Sequence, residues 1–279
     1  MNLNWLNQRF LDRPEVAAKA RGNAALALES WRLDKLIETL EFAAEHSPHY
    51  QRKFDKKTLE SALASLREGQ ADEALAALPF TSPEEIAEDS LNFLAVSQDE
   101  VEGIVSVPTS GTSGQAKRIF STAADLRETV AFFEYGMRIM VTPGCDRVAL
   151  AMSPARPGNV GDLLGRGLAR WNIPFLAHGF VPAGRAEESR WLEELAAWRP
   201  TCLVGVPAQM LAISRHPRAR FLSNLKTMLL SGDVAEDRLV AELEKNFSGC
   251  RVFRHYGLTE CGLGGAVECR KRGWPHLRD

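Results

Sequence analysis

The stretch Val107-Pro108-Thr109-Ser110-Gly111-Thr112-Ser113-Gly114-Gln115-Ala116-Lys117-Arg118 holds four hydroxyls, two glycines and two cations within twelve residues. Gly111 and Gly114 let the backbone take positive φ and approach a ligand closely. Successive backbone N–H groups in such a turn form an anion-binding concavity, and Thr and Ser hydroxyls add donors. Lys117 supplies a mobile point charge suited to a phosphate. The stretch is not a Walker A loop, which needs four residues between its glycines and Lys-Ser/Thr directly after the second. Here two residues separate Gly111 from Gly114, and Lys117 is followed by Arg118. A phosphate cradle and an ordinary Ser/Thr/Gly-rich surface loop both fit that composition.

A second stretch, Arg254-His255-Tyr256-Gly257-Leu258-Thr259-Glu260, lies far down the chain, after an expected strand from Arg251 to Phe253. Taken singly, Tyr256 reads as a core aromatic and Glu260 as a surface carboxylate. Taken together, the two stretches resemble the adenylate-forming superfamily of acyl-CoA synthetases and related ligases. The phosphate loop of that superfamily reads Thr-Ser-Gly-Thr-Thr-Gly-x-Pro-Lys, and its second signature reads Tyr-Gly-x-Thr-Glu. This sequence departs from the first at Ser113 and Ala116 and keeps Tyr256, Gly257, Thr259 and Glu260 of the second.

The resemblance implies a chemistry. A carboxylate attacks the α-phosphate of ATP to give an acyl-adenylate and pyrophosphate, and a thiol, usually that of coenzyme A, then displaces AMP. Such steps need positioning and charge neutralisation more than a strong base. The resemblance assigns Thr109, Ser110, Gly111, Thr112, Ser113, Gly114 and Lys117 to the β- and γ-phosphates. It gives Thr259 to the α-phosphate, Glu260 to Mg²⁺ and Tyr256 to stacking on adenine, with Gly257 letting the backbone come close. Mg²⁺ is a hard cation that prefers carboxylate and phosphate oxygens. Lys117, Thr259 and Glu260 are the expected catalytic residues. Ser231-Gly232-Asp233 resembles the Gly-Gly-Glu or Gly-Ala-Glu element beside adenine, with Asp233 one methylene shorter.

Three further runs resemble the phenylacetate-CoA ligase-like branch. They are Ser47-Pro48-His49-Tyr50, Leu78-Pro79-Phe80-Thr81, and Glu268-Cys269 followed by His276-Leu277. The resemblance therefore runs from about residue 46 to the C-terminus, and it implies an aryl acid such as phenylacetate as the substrate. The expected walls of the acid pocket are the helix from Val160 to Trp171, the loop Ala177-His178-Gly179-Phe180, and Val206-Pro207-Ala208. His178 could touch substrate or be a hydrogen-bonded structural histidine. Cys250, Cys261, Cys269 and His276 have the ligand types for Zn²⁺, but their spacings match no standard zinc pattern, so zinc is not expected. The superfamily continues with a Tyr-x-Thr-Gly-Asp element and a small C-terminal lid domain carrying the adenylation lysine. Neither occurs in these 279 residues. The expectation is thus the ATP-binding, N-terminal part of an acyl-CoA ligase, incomplete or weakly active by itself. The alternative is a non-catalytic nucleotide- or acyl-binding module that kept the pocket without the lid.

Composition bounds the class of protein. With 45% hydrophobic and 25% charged residues, the chain has the balance of an ordinary soluble globular protein. A net charge of −2 leaves no electrostatic footprint for nucleic acid. No apolar run reaches 18 residues, so no membrane span is expected. The N-terminus lacks the basic and apolar regions of a signal peptide. Five cysteines at irregular spacing suit reduced thiols in the cytoplasm better than a disulfide framework. Nothing in the residues specifies an oligomer.

The elements that must position these motifs form an α/β pattern: a helical lead segment (1–105), then a nucleotide-binding core (106–279) with a mostly parallel sheet flanked by helices. Apolar residues recur at helical spacing from Ala24 to Ala44, and breaks are expected at Gly22-Asn23 and at His46 to Tyr50. Ser82 with Glu85 fits a capping box, with Pro83 at the first helical position. From residue 104 onward strands alternate with helices, with buried strands expected at 148–152, 202–206 and 226–230. Ligands of open α/β sheets gather at the carboxyl ends of strands, and the motif loops at 108–118, 231–233 and 254–260 are each expected to follow one.

Overall fold

The computed structural model describes residues 7–19, 23–107, 116–152, 157–270 and 276–277. Contacts divide the chain into two compact units, Met1–Ala123 and Ala124–Arg278.

The first unit is built from α1 (Gln8–Leu11), α2 (Pro14–Lys19), α3 (Ala24–His46), α4 (Pro48–Lys53), α5 (Lys56–Arg67), α6 (Ala71–Ala77) and α7 (Pro83–Glu88), followed by β1 (Val101–Val107) and β2 (Lys117–Thr122). Asn23 caps α3 by accepting from the N–H groups of Ala25 and Leu26. The break after α3 is a single residue, Ser47, because Pro48 takes the first position of α4, where its missing N–H costs nothing. Leu33, Leu36, Ile37 and Leu40 recur along one side of α3 and pack on Ala62, Leu63 and Leu66 of α5 and Ala74 of α6. A second small core gathers Phe10, Val16, Ala27, Leu28 and Trp31.

The capping box forms as read: Glu85 N donates to Ser82 Oγ, and Ser82 N donates to Glu85 Oε2. Lys53 Nζ donates to both oxygens of Glu85 at 2.6 Å, tying α4 to α7 and holding the Glu85 carboxyl below the usual carboxylate range. The Ser47–Tyr50 and Leu78–Thr81 runs meet here, with Tyr50 Oη 3.4 Å from Thr81 Oγ1. His49 stacks on Phe93 at 3.9 Å.

One expectation fails in this unit. β1 does not join a parallel sheet but pairs antiparallel with β2, from Val101↔Thr122 to Val107↔Lys117. The connection 108–116 is too short for a parallel crossover, which needs a dozen or more residues, so the chain can only fold straight back. Lys117 and Arg118 are consequently strand residues rather than loop residues. By contacts the two compact units divide after Ala123. The hairpin is bonded to itself and to the helical segment, where Arg118 N donates to Ser90 Oγ.

The second unit runs α8 (Ala123–Met137), β3 (Val148–Ala151), α9 (Val160–Arg170), β4 (Phe175–Ala177), α10 (Arg185–Trp198), β5 (Cys202–Gly205), α11 (Pro207–Ser214), β6 (Thr227–Leu230), α12 (Asp237–Asn246), β7 (Arg251–Tyr256), β8 (Ala266–Val267) and β9 (His276–Leu277). The sheet order is β4-β3-β5-β6-β7-β8-β9. The five strands from β4 to β7 are parallel, and β8 and β9 add antiparallel. Central strands covered on both faces must be apolar throughout, and Val148–Ala151 and Cys202–Gly205 are buried at every residue. One face carries α10, α11 and α12, whose Leu192, Leu195, Met210, Ile213, Val240 and Leu243 pack on Leu203, Met228, Leu230 and Val252. The other face carries α8 and α9, against Leu229 and His255. Gly167 lets α9 lie on α8, since a β-carbon there would stand 3.0 Å from Glu134 N.

Leu195 is fully buried in this core, so Leu195→Ala should lower unfolding free energy by about 2–5 kcal/mol. Loss of the α3 cap in Asn23→Ala should cost only about 1 kcal/mol. Urea unfolding of both variants checks this order, and a smaller loss for Leu195→Ala would contradict it.

Candidate active site

Two adjacent parallel strands, β6 and β7, end side by side, with Leu230 in register with Arg254. Ser231-Gly232-Asp233 follows the first. Ser231 N donates to Gly205 O, Gly232 turns the chain at φ +88°, and Asp233 is exposed, accepting from Val234 N at 2.7 Å.

Tyr256 is the last residue of β7, and Gly257 to Gly265 form the loop of a hairpin between β7 and β8. Tyr256 is 52% exposed, so it is not a core aromatic. Gly257 is required by the chain itself: a β-carbon there would lie 2.2 Å from Leu263 O and 2.8 Å from His255 Cε1. The expected role of letting a ligand approach is therefore joined by a structural one. Leu263 N donates to Leu258 O and Gly265 N to Tyr256 O, both at 2.9 Å, closing the loop. Gly262 and Leu263 take positive φ, 64° and 68°. For Leu that conformation is strained, and it is held by the surroundings, including the bond from Thr129 Oγ1 to Gly262 O at 3.1 Å. Thr259, half-buried, and Glu260, exposed, ride on a 3₁₀ turn inside this loop.

His255 precedes Tyr256 and was not singled out by its residue type. It is buried, and its Nδ1 lies 2.8 Å from Ser231 Oγ, joining the two strand ends. The signal available in the sequence was its alternation with Phe253, which puts it on the buried face of β7. Its ring lies near Phe132 and Phe133 of α8. Nε2 has no hydrogen-bond partner, and the ring borders a cavity of about 10 Å³ lined also by Phe132, Met137, Leu164 and Leu229, whose walls are apolar. Such a space holds at most one water and offers it no polar partner, so it stays dry and admits no ligand. Burial pushes the His255 pKa down from 6.5 to about 4, so the imidazole is neutral.

Lys117 belongs to the first unit, half-buried at the start of β2. Thr109, Ser110, Gly111, Thr112, Ser113 and Gly114 lie outside the described residues. Ser231, Gly232, Asp233, Tyr256, Gly257, Thr259 and Glu260 are brought together in the second unit at the carboxyl ends of β6 and β7. Of the expected pocket walls, α9 ends at Arg170 with Trp171 as its cap. His178 is structural: Nε2 lies 2.9 Å from Trp191 O, and the ring packs on that indole.

No group of three or more His, Cys, Asp or Glu side chains among the described residues could hold a metal ion. Burial pushes the Cys250 thiol up to about 12, away from a thiolate ligand, whereas Cys261 is exposed. Glu260 alone still fits Mg²⁺, which is bound through one or two carboxylates together with substrate phosphates.

The His255 shift has a sign. Between pH 6.5 and about 4 the unfolded chain binds a proton that the folded one refuses, so stability falls as pH drops through that window. The limiting slope is about 1.4 kcal/mol per pH unit. Unfolding of wild type and His255→Asn at pH 7.5 and 5 should show the variant losing less stability on acidification. Equal losses would contradict a buried neutral His255.

No curated protein matches the sequence. A structure of 2-hydroxyisobutyryl-CoA ligase in an open conformation, in complex with 2-HIB-AMP and CoA, matches at 18% identity and TM-score 0.69, covering 88% of this chain and 57% of that one. The same ligase in its thioesterification state matches at 20% identity and TM-score 0.70, over 88% of this chain and 52% of that one. The chain thus shares the fold of these ligases and spans little more than half of their length. The family model for the AMP-binding enzyme matches residues 34–277. Matched over most of its length, the chain belongs to the AMP-binding enzyme family.

Proposed function

We propose that this chain is the ATP-binding part of an acyl-CoA ligase that activates a carboxylic acid, an aryl acid such as phenylacetate, in the cytoplasm. The observation that carries the proposal is the Tyr256-Gly257-Leu258-Thr259-Glu260 signature, held on a closed, strained loop at the end of β7. Family membership over 34–277 supports the nucleotide, and the Ser47–Tyr50 and Leu78–Thr81 runs support the aryl acid.

In this proposal the acid's carboxylate oxygen attacks the α-phosphorus of ATP. The bond to the bridging oxygen breaks, and pyrophosphate leaves. The sulfur of CoA then attacks the acyl carbon, and AMP departs. Thr109, Ser110, Gly111, Thr112, Ser113, Gly114 and Lys117 hold the β- and γ-phosphates. Thr259 donates its hydroxyl to the α-phosphate, Tyr256 stacks on adenine, and Ser231-Gly232-Asp233 borders the base. Glu260 offers its carboxylate to Mg²⁺, which when bound neutralises phosphate charge. No described residue acts as a strong base, in keeping with a reaction that needs placement and charge stabilisation.

Lys117→Ala and Glu260→Gln should each weaken ATP·Mg²⁺ binding in isothermal titration while changing apo stability by no more than about 0.5 kcal/mol. Large losses of apo stability in both would show that these residues serve folding instead. No heat from folded wild type at millimolar ATP·Mg²⁺ would overturn the nucleotide reading.

Activity separates turnover from binding. By the resemblance the adenylation lysine belongs to a C-terminal lid domain, and loss of one such electrostatic donor costs about 10²–10³ in rate. The chain by itself should give little or no carboxylate-dependent exchange of pyrophosphate into ATP across a panel of aryl and alkyl acids. Extension by its natural C-terminal sequence, where there is one, should raise exchange, most for aryl acids. Robust exchange by the 279 residues would contradict the role given to the lid, and binding without exchange in the extended form would mark a nucleotide-binding module.

A further inference from the structure

His255 lies within the second signature stretch, yet none of the chemistry above uses it. Two ring atoms are engaged and a third is not. Nδ1 is 2.8 Å from Ser231 Oγ. Cε1 faces the Gly257 backbone so closely that a β-carbon at 257 would stand 2.8 Å away. Nε2 is unpartnered, and the ring borders the dry apolar cavity under α8 and α9. An unpaired buried nitrogen costs stability, and an apolar residue of similar volume would avoid that cost here. The ring also reaches no ligand through the cavity, which holds one water at most. What the imidazole supplies, and an apolar side chain would not, is the bond from the end of β7 to the turn after β6.

We propose that His255 is a positioning residue for nucleotide binding: it fastens the Ser231-Gly232-Asp233 turn to the Tyr256-Gly257 strand end, so that both adenine-side elements are set as one piece. The proposal rests on the ATP-binding reading above. The tautomer follows from burial. With Nδ1–H donating to Ser231 Oγ, the unpartnered Nε2 keeps a lone pair, whereas the reverse would leave a buried N–H orphaned, which is rarer. Burial holds the ring in this neutral form at physiological pH.

The test uses the full chain and two probes, ATP·Mg²⁺ and magnesium tripolyphosphate, which lacks the adenosine. His255→Phe and Ser231→Ala should each weaken ATP roughly threefold to tenfold, the range of a single neutral hydrogen bond. The double variant should be no weaker than the poorer single one, because both remove the same bond. His255→Asn, whose amide takes the place of Nδ1, should bind ATP within about twofold of wild type. Tripolyphosphate affinity should stay unchanged throughout, which general loosening of the fold would not allow. Wild-type ATP affinity in both single variants, additive losses in the double, or parallel losses of tripolyphosphate binding would each overturn the proposal. Should His255→Phe fail to fold, Ser231→Ala, which deletes one oxygen from the other side of the bond, carries the same expectation. Absence of ATP binding by wild type would instead defeat the nucleotide reading and this proposal with it.

Discussion

The chain returning from Leu263 onto Gly257 leaves no room for a β-carbon at 257, and much of the candidate site depends on that contact. A β-carbon 2.2 Å from a carbonyl oxygen is not tolerated, so a side chain at 257 would force the loop between β7 and β8 open. Closed, the loop gains its cross-bonds at Leu258 and Tyr256, and it absorbs a left-handed Leu263. Tyr256, Thr259 and Glu260 are thereby fixed relative to one another by backbone and not by long flexible side chains. This is the preorganisation that phosphoryl chemistry at a polar site requires.

The sheet beneath carries that loop. β5, β6 and β7 are covered on both faces, and their parallel register brings Ser231 beside His255. The apolar core on the α10–α12 side consists of side chains with almost no exposure, Leu192, Leu195, Leu203, Met210 and Leu243 among them. Close packing of that kind transmits displacement poorly tolerated elsewhere, so strand ends sit where the core dictates. On the other face His255 is a buried polar strand residue, located where two motif turns converge.

Much of this was legible in the sequence. Tyr256 to Glu260 and Ser231 to Asp233 drew notice through their resemblance to signatures of the superfamily, and the parallel strands were readable because fully buried strands show continuous apolar runs such as Val148–Ala151. Pro83 after Ser82, with Glu85 beyond, announced a helix start that the structure realises atom by atom. The β1–β2 hairpin was not readable as such. Lys117 to Thr122 reads Lys-Arg-Ile-Phe-Ser-Thr, without strict polar–apolar alternation, and a strand's partner is chosen by connection length and tertiary packing, neither of which a local pattern contains. His255 escaped for a related reason: a histidine acquires a role from what faces it, and Ser231 lies 24 residues away in the chain.

The central claim is that one nucleotide engages the motif residues of this chain. Backbone amide spectra of the isotope-labelled protein, titrated with ATP·Mg²⁺, test it most directly. The account predicts saturable shifts concentrated at 231–233, at 255–260 and at 109–117, with the α5–α6 core of Ala62, Leu66 and Ala74 unmoved. Shifts confined to other surfaces, or none at saturating ligand, would contradict it.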